Sequence, residues 1–189
     1  RDRNIRIPYL LRLANHLNIL PRVIQKVQIV KSRNGKKCSI PRYITPDLMY
    51  YAGLVGGDGN IDRGRRIRIK QKEENKSIIE IFCSLTWKLF KLKAKKRKKG
   101  DFIEAWVNSG VIADILENIG IPSGSKSSII RPMNFLYSIS EEHLKAYISG
   151  WFDAEGYVSS KERVIGFSIA SQDIAKSLAQ ILLELGIMC

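Results

Sequence analysis

Asp58 closes the stretch YAGLVGGDG (residues 51–59), and Glu155 closes ISGWFDAEG (residues 148–156). Each acid ends an apolar, small-residue run and is followed directly by a glycine. On a helix Ala52 and Gly56 share a face, as do Gly53 and Gly57. Ser149, Gly150 and Ala154 offer the same in the second run. Small residues at four-residue spacing let two helix backbones approach closely, so the two runs are expected to pack on each other. The competing reading is two unrelated helices, each stopped by a glycine C-cap. In the packed arrangement the acids lie side by side at two helix C-termini. Such a helix end already carries about half a negative charge, and neighbouring carboxylates repel, so a cation is wanted there. Carboxylates and free carbonyl oxygens suit a hard ion such as Mg²⁺, which keeps several waters and binds phosphate. Held between two carboxylates and a phosphodiester, a divalent ion can activate water and stabilise the leaving oxygen.

The elements that must position these acids can be read along the chain. Thr45 is the expected N-cap of the first run, with Pro46 at the first helical position and Asp47 in the first turn. Ser140 or Ser138 caps the second. After Asp58, a turn at Asp62-Arg63-Gly64 leads into RIRIKQK, where Ile67 and Ile69 alternate with Arg66, Arg68 and Lys70 at the period of a half-buried strand. A helix (ENKSIIEIFCSLTWKLFKL), two strands turning at Gly100-Asp101 and a short helix ending at Gly120 follow. After Glu155 the cycle begins again, with strand-like YVSSKERVIGFSIAS and helical QDIAKSLAQILLELGI. Upstream, Leu10, Leu13, Leu17 and Leu20 have helical spacing, and residues 23–44 read as strand, turn and strand around Asn34-Gly35. The expected division is a basic lead-in over 1–45, a first repeat with connector over 46–139 and a second repeat over 140–189. Fewer residues follow Glu155 than separate Asp58 from Ile121, so the second repeat is expected to be incomplete and the chain, which starts at Arg1 rather than Met, to be a piece of something longer.

Charge narrows the partner. The 189 residues include 32 Lys and Arg against 18 Asp and Glu, a formal net charge of +14. That imbalance points to a polyanion, nucleic acid before an anionic membrane. No apolar run reaches the roughly 18 residues of a membrane span, and no signal-peptide pattern opens the chain. Cys38, Cys83 and Cys189 are odd in number and far apart, which indicates neither a disulfide framework nor a zinc site. His16 and His143 are too few for a histidine-rich metal site. An intracellular protein, cytoplasmic or nucleoid-associated, is expected.

The two glycine-acid segments resemble the LAGLIDADG (dodecapeptide, DOD-type) homing endonucleases, and their pairing resembles the monomeric two-motif members. The resemblance covers about residues 45–189. It implies an α+β fold of tandem αββαββα repeats with pseudo-twofold symmetry, whose strands form a curved saddle on double-stranded DNA. It implies Mg²⁺ or another divalent cation held by Asp58 and Glu155, and a monomeric enzyme when complete. Gly56 stands where the motif's middle acid would be, whereas the second copy has Asp153. The basic lead-in and IPRYITPDL are similar to intein endonuclease domains, although no splicing nucleophile is visible and an intron-encoded or free-standing enzyme is the near alternative. A rival class is a LAGLIDADG-scaffold DNA- or RNA-binding protein, a maturase or transcription regulator, that has lost cleavage.

Supporting residues follow from parity and from the resemblance. Ile67, Ile69 and Gln71 are expected inward and Arg66, Arg68, Lys70 and Lys72 outward. The DNA-contacting set is Arg65, Arg66, Arg68, Lys70 and Lys72, together with Lys93, Lys95, Arg97 and Lys99 from KLKAKKRKK. By resemblance Gln71 orders active-site water, with Ser171 in the corresponding place of the second half, and Lys126 steadies phosphate charge or water; a strand-end polar residue and a solvated loop lysine are the plain alternatives. Trp87 and Trp106 are assigned to packing, Tyr50 and Tyr51 to the flank of the motif helix or the core, and His16 and His143 to no role. Gly166, Ser168 and Ala170 make the second half's outward strand face much less basic.

Overall fold

A computed structural model describes residues 7–18, 27–31, 35–126 and 129–188. Its elements follow the order α1 (Ile7–His16), β1 (Ile29–Lys31), β2 (Lys37–Ser39), α2 (Pro46–Gly57), β3 (Gly59–Ile61), β4 (Arg66–Lys72), α3 (Lys76–Phe90), β5 (Lys95–Lys99), β6 (Phe102–Asn108), α4 (Gly110–Asn118), α5 (Glu141–Glu155), β7 (Gly156–Ser159), β8 (Val164–Phe167) and α6 (Gln172–Glu184). From α2 to α4 this is αββαββα, and α5 to α6 repeats its first four elements. The fold is α+β with antiparallel sheets. Leu20 and Asn34, named in the lead-in's helix and turn, lie outside the described residues, as does Cys189.

The two motif helices, α2 and α5, pack face to face. They touch where side chains are missing. A methyl added at Gly53 would strike the carbonyl oxygen of Tyr147, and one at Gly150 would strike that of Tyr50. Gly57 meets the Cβ of Ala154 in the same way. Gly56 lies against the indole of Trp151, 2.9 Å from where its Cβ would be. Thr45 caps α2, its hydroxyl accepting from the Leu48 amide at 3.3 Å with Pro46 leading the helix. Ser140 holds the cap position of α5 without a side-chain bond to the helix backbone. Its hydroxyl instead meets Nδ1 of His143 at 2.6 Å, while Nε2 of His143 donates to the carbonyl of Ile44 at 3.0 Å. His143 thus ties the start of α5 to the residue before the α2 cap.

One four-stranded sheet has the order β3-β4-β6-β5. Ile61, Ile67, Ile69, Ala105 and Val107 are buried on the face that α3 and α4 cover. Tyr51 of α2 stacks on Phe82 of α3, ring centroids 5.3 Å apart. The β7–β8 hairpin forms its own two-stranded sheet. Its register matches the first hairpin, Gly156 pairing Phe167 as Gly59 pairs Ile69. At the places of the fully buried Ile61 and Ile67, however, Val158 and Ile165 are 66% and 72% exposed. The packing role expected of Trp87 does not hold either: it is half exposed on α3, with the amines of Lys91 and Lys93 above its ring.

Candidate active site

Asp58 is the C-cap of α2 and Glu155 the last residue of α5. The close approach of the helices brings their ends together, the Cγ of Glu155 lying 3.1 Å from where a Cβ of Gly57 would be. Both carboxyls are held above their ordinary range. Burial is the main cause at each; the charge of Asp58 adds to it at Glu155. Two side chains answer this. Gln71 of β4 donates from Nε2 to Asp58 Oδ2. Lys126 pulls both carboxyls back down. The carbonyl of Glu155 accepts from the Ser168 amide at 3.0 Å.

Lys126 is not a solvated loop residue. It is 7% exposed, and its ammonium donates to the carbonyls of Gly56 and Gly57, the last residues of α2. It therefore caps the negative end of that helix with a full charge. Burial brings its pKa down to about 8, against the pull of Glu155 and Asp58. The connector carrying it is fastened to the first half. The Gly124 amide donates to the Ile61 carbonyl at 2.8 Å, and Asn60 Nδ2 donates to the Gly124 carbonyl at 2.9 Å.

Ser171 does not serve Glu155 as Gln71 serves Asp58. It caps α6, accepting from the Ile174 amide at 3.3 Å and donating to the Ile130 carbonyl at 2.7 Å. In the matched registers Ile169 occupies the place of Gln71. The sequence misleads here because a serine at the end of an apolar strand is equally the N-cap of the next helix.

Oxygen donors alone meet at the two helix ends. Among the described residues no group of three or more His, Cys, Asp or Glu could hold a metal ion. A cation bound here would take the two carboxylates and complete its shell from carbonyls, water and phosphate. That donor set fits a hard divalent ion and not a thiophilic one.

Beside this site lies the outward face of the four-stranded sheet. Strand pairing sets Arg68 opposite Trp106 and Lys95, Lys70 opposite Glu104 and Arg97, and Lys72 opposite Phe102 and Lys99. Arg66 stands opposite Asn108. The basic candidates on β4 and β5 line this face, while Lys93 precedes β5 and turns toward Trp87. Arg65 does not join them. It sits at φ 60° in the β3–β4 turn and its guanidinium is committed to α4: Nη1 donates to Glu117 at 2.6 Å and Nη2 pairs with Asp114. A turn residue with two acids in reach becomes a brace instead of a ligand-facing cation. Trp106, assigned to packing, is on the outward face with the Arg97 guanidinium 5.7 Å above its ring. A depression of about 430 Å³ runs along this face, its lining including Asp58, Asn60, Arg68, Lys70, Arg97 and Glu104. Tyr50, half-buried, donates to Asp153 across the α2–α5 interface, a pairing no periodicity would reveal.

Among the described residues no helix is long and apolar enough to cross a membrane. Residues 142–188 match the LAGLIDADG-like domain family. The chain is 29% identical over 150 residues to glutamine–fructose-6-phosphate aminotransferase of Methanocaldococcus jannaschii, covering 78% of this chain and 13% of that protein. It is 26% identical over 142 residues to a probable translation initiation factor IF-2 of Thermococcus kodakarensis (75% of this chain, 12% of the relative). Reverse gyrase of Methanocaldococcus jannaschii is 28% identical over 169 residues (84% and 9%). The chain thus spans about an eighth or less of the length of these three relatives. Its fold is similar to that of mesophilic variants of the homing endonuclease I-DmoI, with a TM-score of 0.55 at 19% identity over 77% of this chain and 79% of that one. I-DmoI in complex with DNA and Mn matches equally, over 81% of its chain.

Proposed function

We propose that this chain is a LAGLIDADG homing endonuclease, hydrolysing phosphodiester bonds in both strands of a specific DNA duplex with a divalent metal. The observation that carries the reading is the pair of partly buried acids at the joined ends of α2 and α5, flanked by the buried Lys126 and opening onto a basic sheet face. When bound, a divalent cation would supply Lewis acidity and a more acidic water. Asp58 and Glu155 would hold it, and Mg²⁺ fits their oxygen-only set. Gln71 orients Asp58 and offers a hydrogen bond to water at the first half's side of the site. Lys126 fixes the end of α2 and keeps positive charge beside the place a phosphate would take. The cations of β4 and β5 hold the duplex through its phosphates. The enzyme acts as a monomer, since both acids come from one chain.

The three relatives have unrelated activities by name, and each is matched over a small fraction of its length. A segment shared by such unlike proteins is the behaviour of an inserted element rather than of a host's own domain. That supports the endonuclease portion of an intein.

The test is incubation of the chain with a library of DNA duplexes, with and without Mg²⁺, followed by end-sequencing. Cuts at one site, abolished by EDTA and by Asp58→Asn, are expected. Metal-independent cutting would overturn the site assignment. Sequence-specific binding without any cutting would instead favour the maturase or regulator reading.

A further inference from the structure

The outward face of the sheet holds one carboxylate in its middle, Glu104, among the cations that surround it. Its cross-strand neighbours are Lys70 and Arg97. Lys70 does not use it, its amine lying instead 4.0 Å from the centre of the Phe102 ring. Glu104 accepts from Arg97 at 2.8 Å and lies 3.5 Å from a nitrogen of Arg68. The three side chains sit at different depths: Glu104 is 17% exposed, Arg68 45% and Arg97 62%. The acid lies beneath and the guanidinium groups stand above it. The Trp106 ring supports Arg97 from a second side.

A surface that only gripped phosphates would be better without Glu104, because phosphate binding follows the number of cations free to engage it. Phosphate needs charge and tolerates many directions. A guanine edge needs more, since its O6 and N7 accept two hydrogen bonds from a planar fork held in one orientation. A carboxylate under the fork supplies that orientation. Each guanidinium gives one nitrogen to Glu104, which leaves donors free to point outward.

We infer that Arg97 and Arg68 read guanine edges in the major groove, with Glu104 as the positioning residue that aims them. The inference rests on duplex DNA being the partner proposed above. Lys70, Lys72, Lys95 and Lys99 then contact the backbone and set register without reading sequence. The depression shared with Asp58 places the guanines near the cut.

The experiment is selection of bound duplexes from a randomised pool by the full chain at fixed salt, repeated for Arg97→Lys and Glu104→Gln, with circular dichroism as the folding control. The wild-type chain should enrich guanine at one or more fixed positions. Arg97→Lys, which keeps the charge, should lower that preference about tenfold while changing affinity for random DNA little. Glu104→Gln should lower the preference severalfold yet raise affinity for random DNA and steepen its salt dependence, because a negative charge has left the surface. A merely structural role for Glu104 would weaken binding to every sequence alike. If both variants keep the wild-type guanine preference and alter only affinity, the arginines are phosphate ligands and the inference is wrong. Should Glu104→Gln fail to fold, Arg97→Lys alone decides. A wild-type chain that binds but enriches no sequence overturns sequence specificity itself, and this inference with it.

Discussion

At the scale of single residues, burial works against the charged form of the groups in the candidate active site. Asp58 lies above its ordinary range because burial outweighs the help of Gln71 and Lys126. A net rise means that folding disfavours the charged form. Asp58→Asn should therefore raise the stability of the metal-free chain at neutral pH, while abolishing cleavage and leaving DNA binding intact. Thermal unfolding in EDTA checks the first part and a gel-shift the second; a drop in both stability and binding would make Asp58 a structural residue. Lys126 shows the opposite charge under the same pressure. Its ammonium releases its proton at about 8 in the folded chain, whereas an unfolded lysine keeps it to about 10.4. Between those values the unfolded state binds more protons, so stability rises with pH across the window. Below about pH 8 the cost of burying the charge is fully present. Urea unfolding of the metal-free chain at pH 7 to 10 should show this rise in the wild type and not in Lys126→Met. Equal profiles would mean that the lysine is not buried as described.

At the scale of elements, the α2–α5 interface is the part of the structure most fully written in the sequence. Small residues four apart imply close backbones whatever else surrounds them, and Gly53, Gly57, Gly150 and Ala154 are where those backbones meet. Gly150→Ala should cost about 1–3 kcal/mol, since the added methyl meets main-chain atoms of Tyr50 and Leu54 that cannot turn aside. It should lower cleavage as well, because the acids are carried by the two helix ends. Gly100→Asn is the contrast. Gly100 has φ 57° with nothing within 4 Å of its added Cβ, and asparagine tolerates that conformation, so urea midpoints should stay close to wild type. A Gly150→Ala chain as stable as wild type would mean that the helices are not packed this closely. Strand parity is legible too, down to the inward turn of Gln71. What escapes a sequence reading is pairing between residues far apart in the chain with no periodicity to announce it. The capping role of Lys126 depends on a connector fastened by Asn60, and the brace of Arg65 depends on two acids some fifty positions later. Residue type assigns Trp87 and Trp106 to the core, but their neighbours are cations, and position relative to the sheet decides their exposure.

At the scale of the whole molecule, the charge of +14 is organised unevenly. The outward face of the first sheet carries cations on β4 and β5, while the β7–β8 hairpin and the residues after it show Tyr157, Ser168 and Ala170 to solvent. DNA affinity should fall steeply with salt. Replacing Arg66, Lys70 and Lys72 by glutamine should reduce the slope of log K against log salt by about 2 to 3, near 0.9 for each phosphate no longer neutralised. Fluorescence anisotropy over roughly 50 to 200 mM salt measures it; an unchanged slope would remove β4 from the interface.

The fastening of Lys126 to β3 bears on how such a molecule can vary. Asp58, Gln71, Lys126 and the cationic strands all belong to, or are tied onto, the first repeat, whereas among the described residues the second brings Glu155 to the candidate site. The two units carry unequal loads in the candidate site. A saturation library scored for cleavage should therefore be lopsided, with inactivating codons dense from 46 to 126 and sparse from 156 to 188 once core positions are set aside. Substitutions should be tolerated most widely in that lighter-burdened unit, which is where a search for altered behaviour should begin.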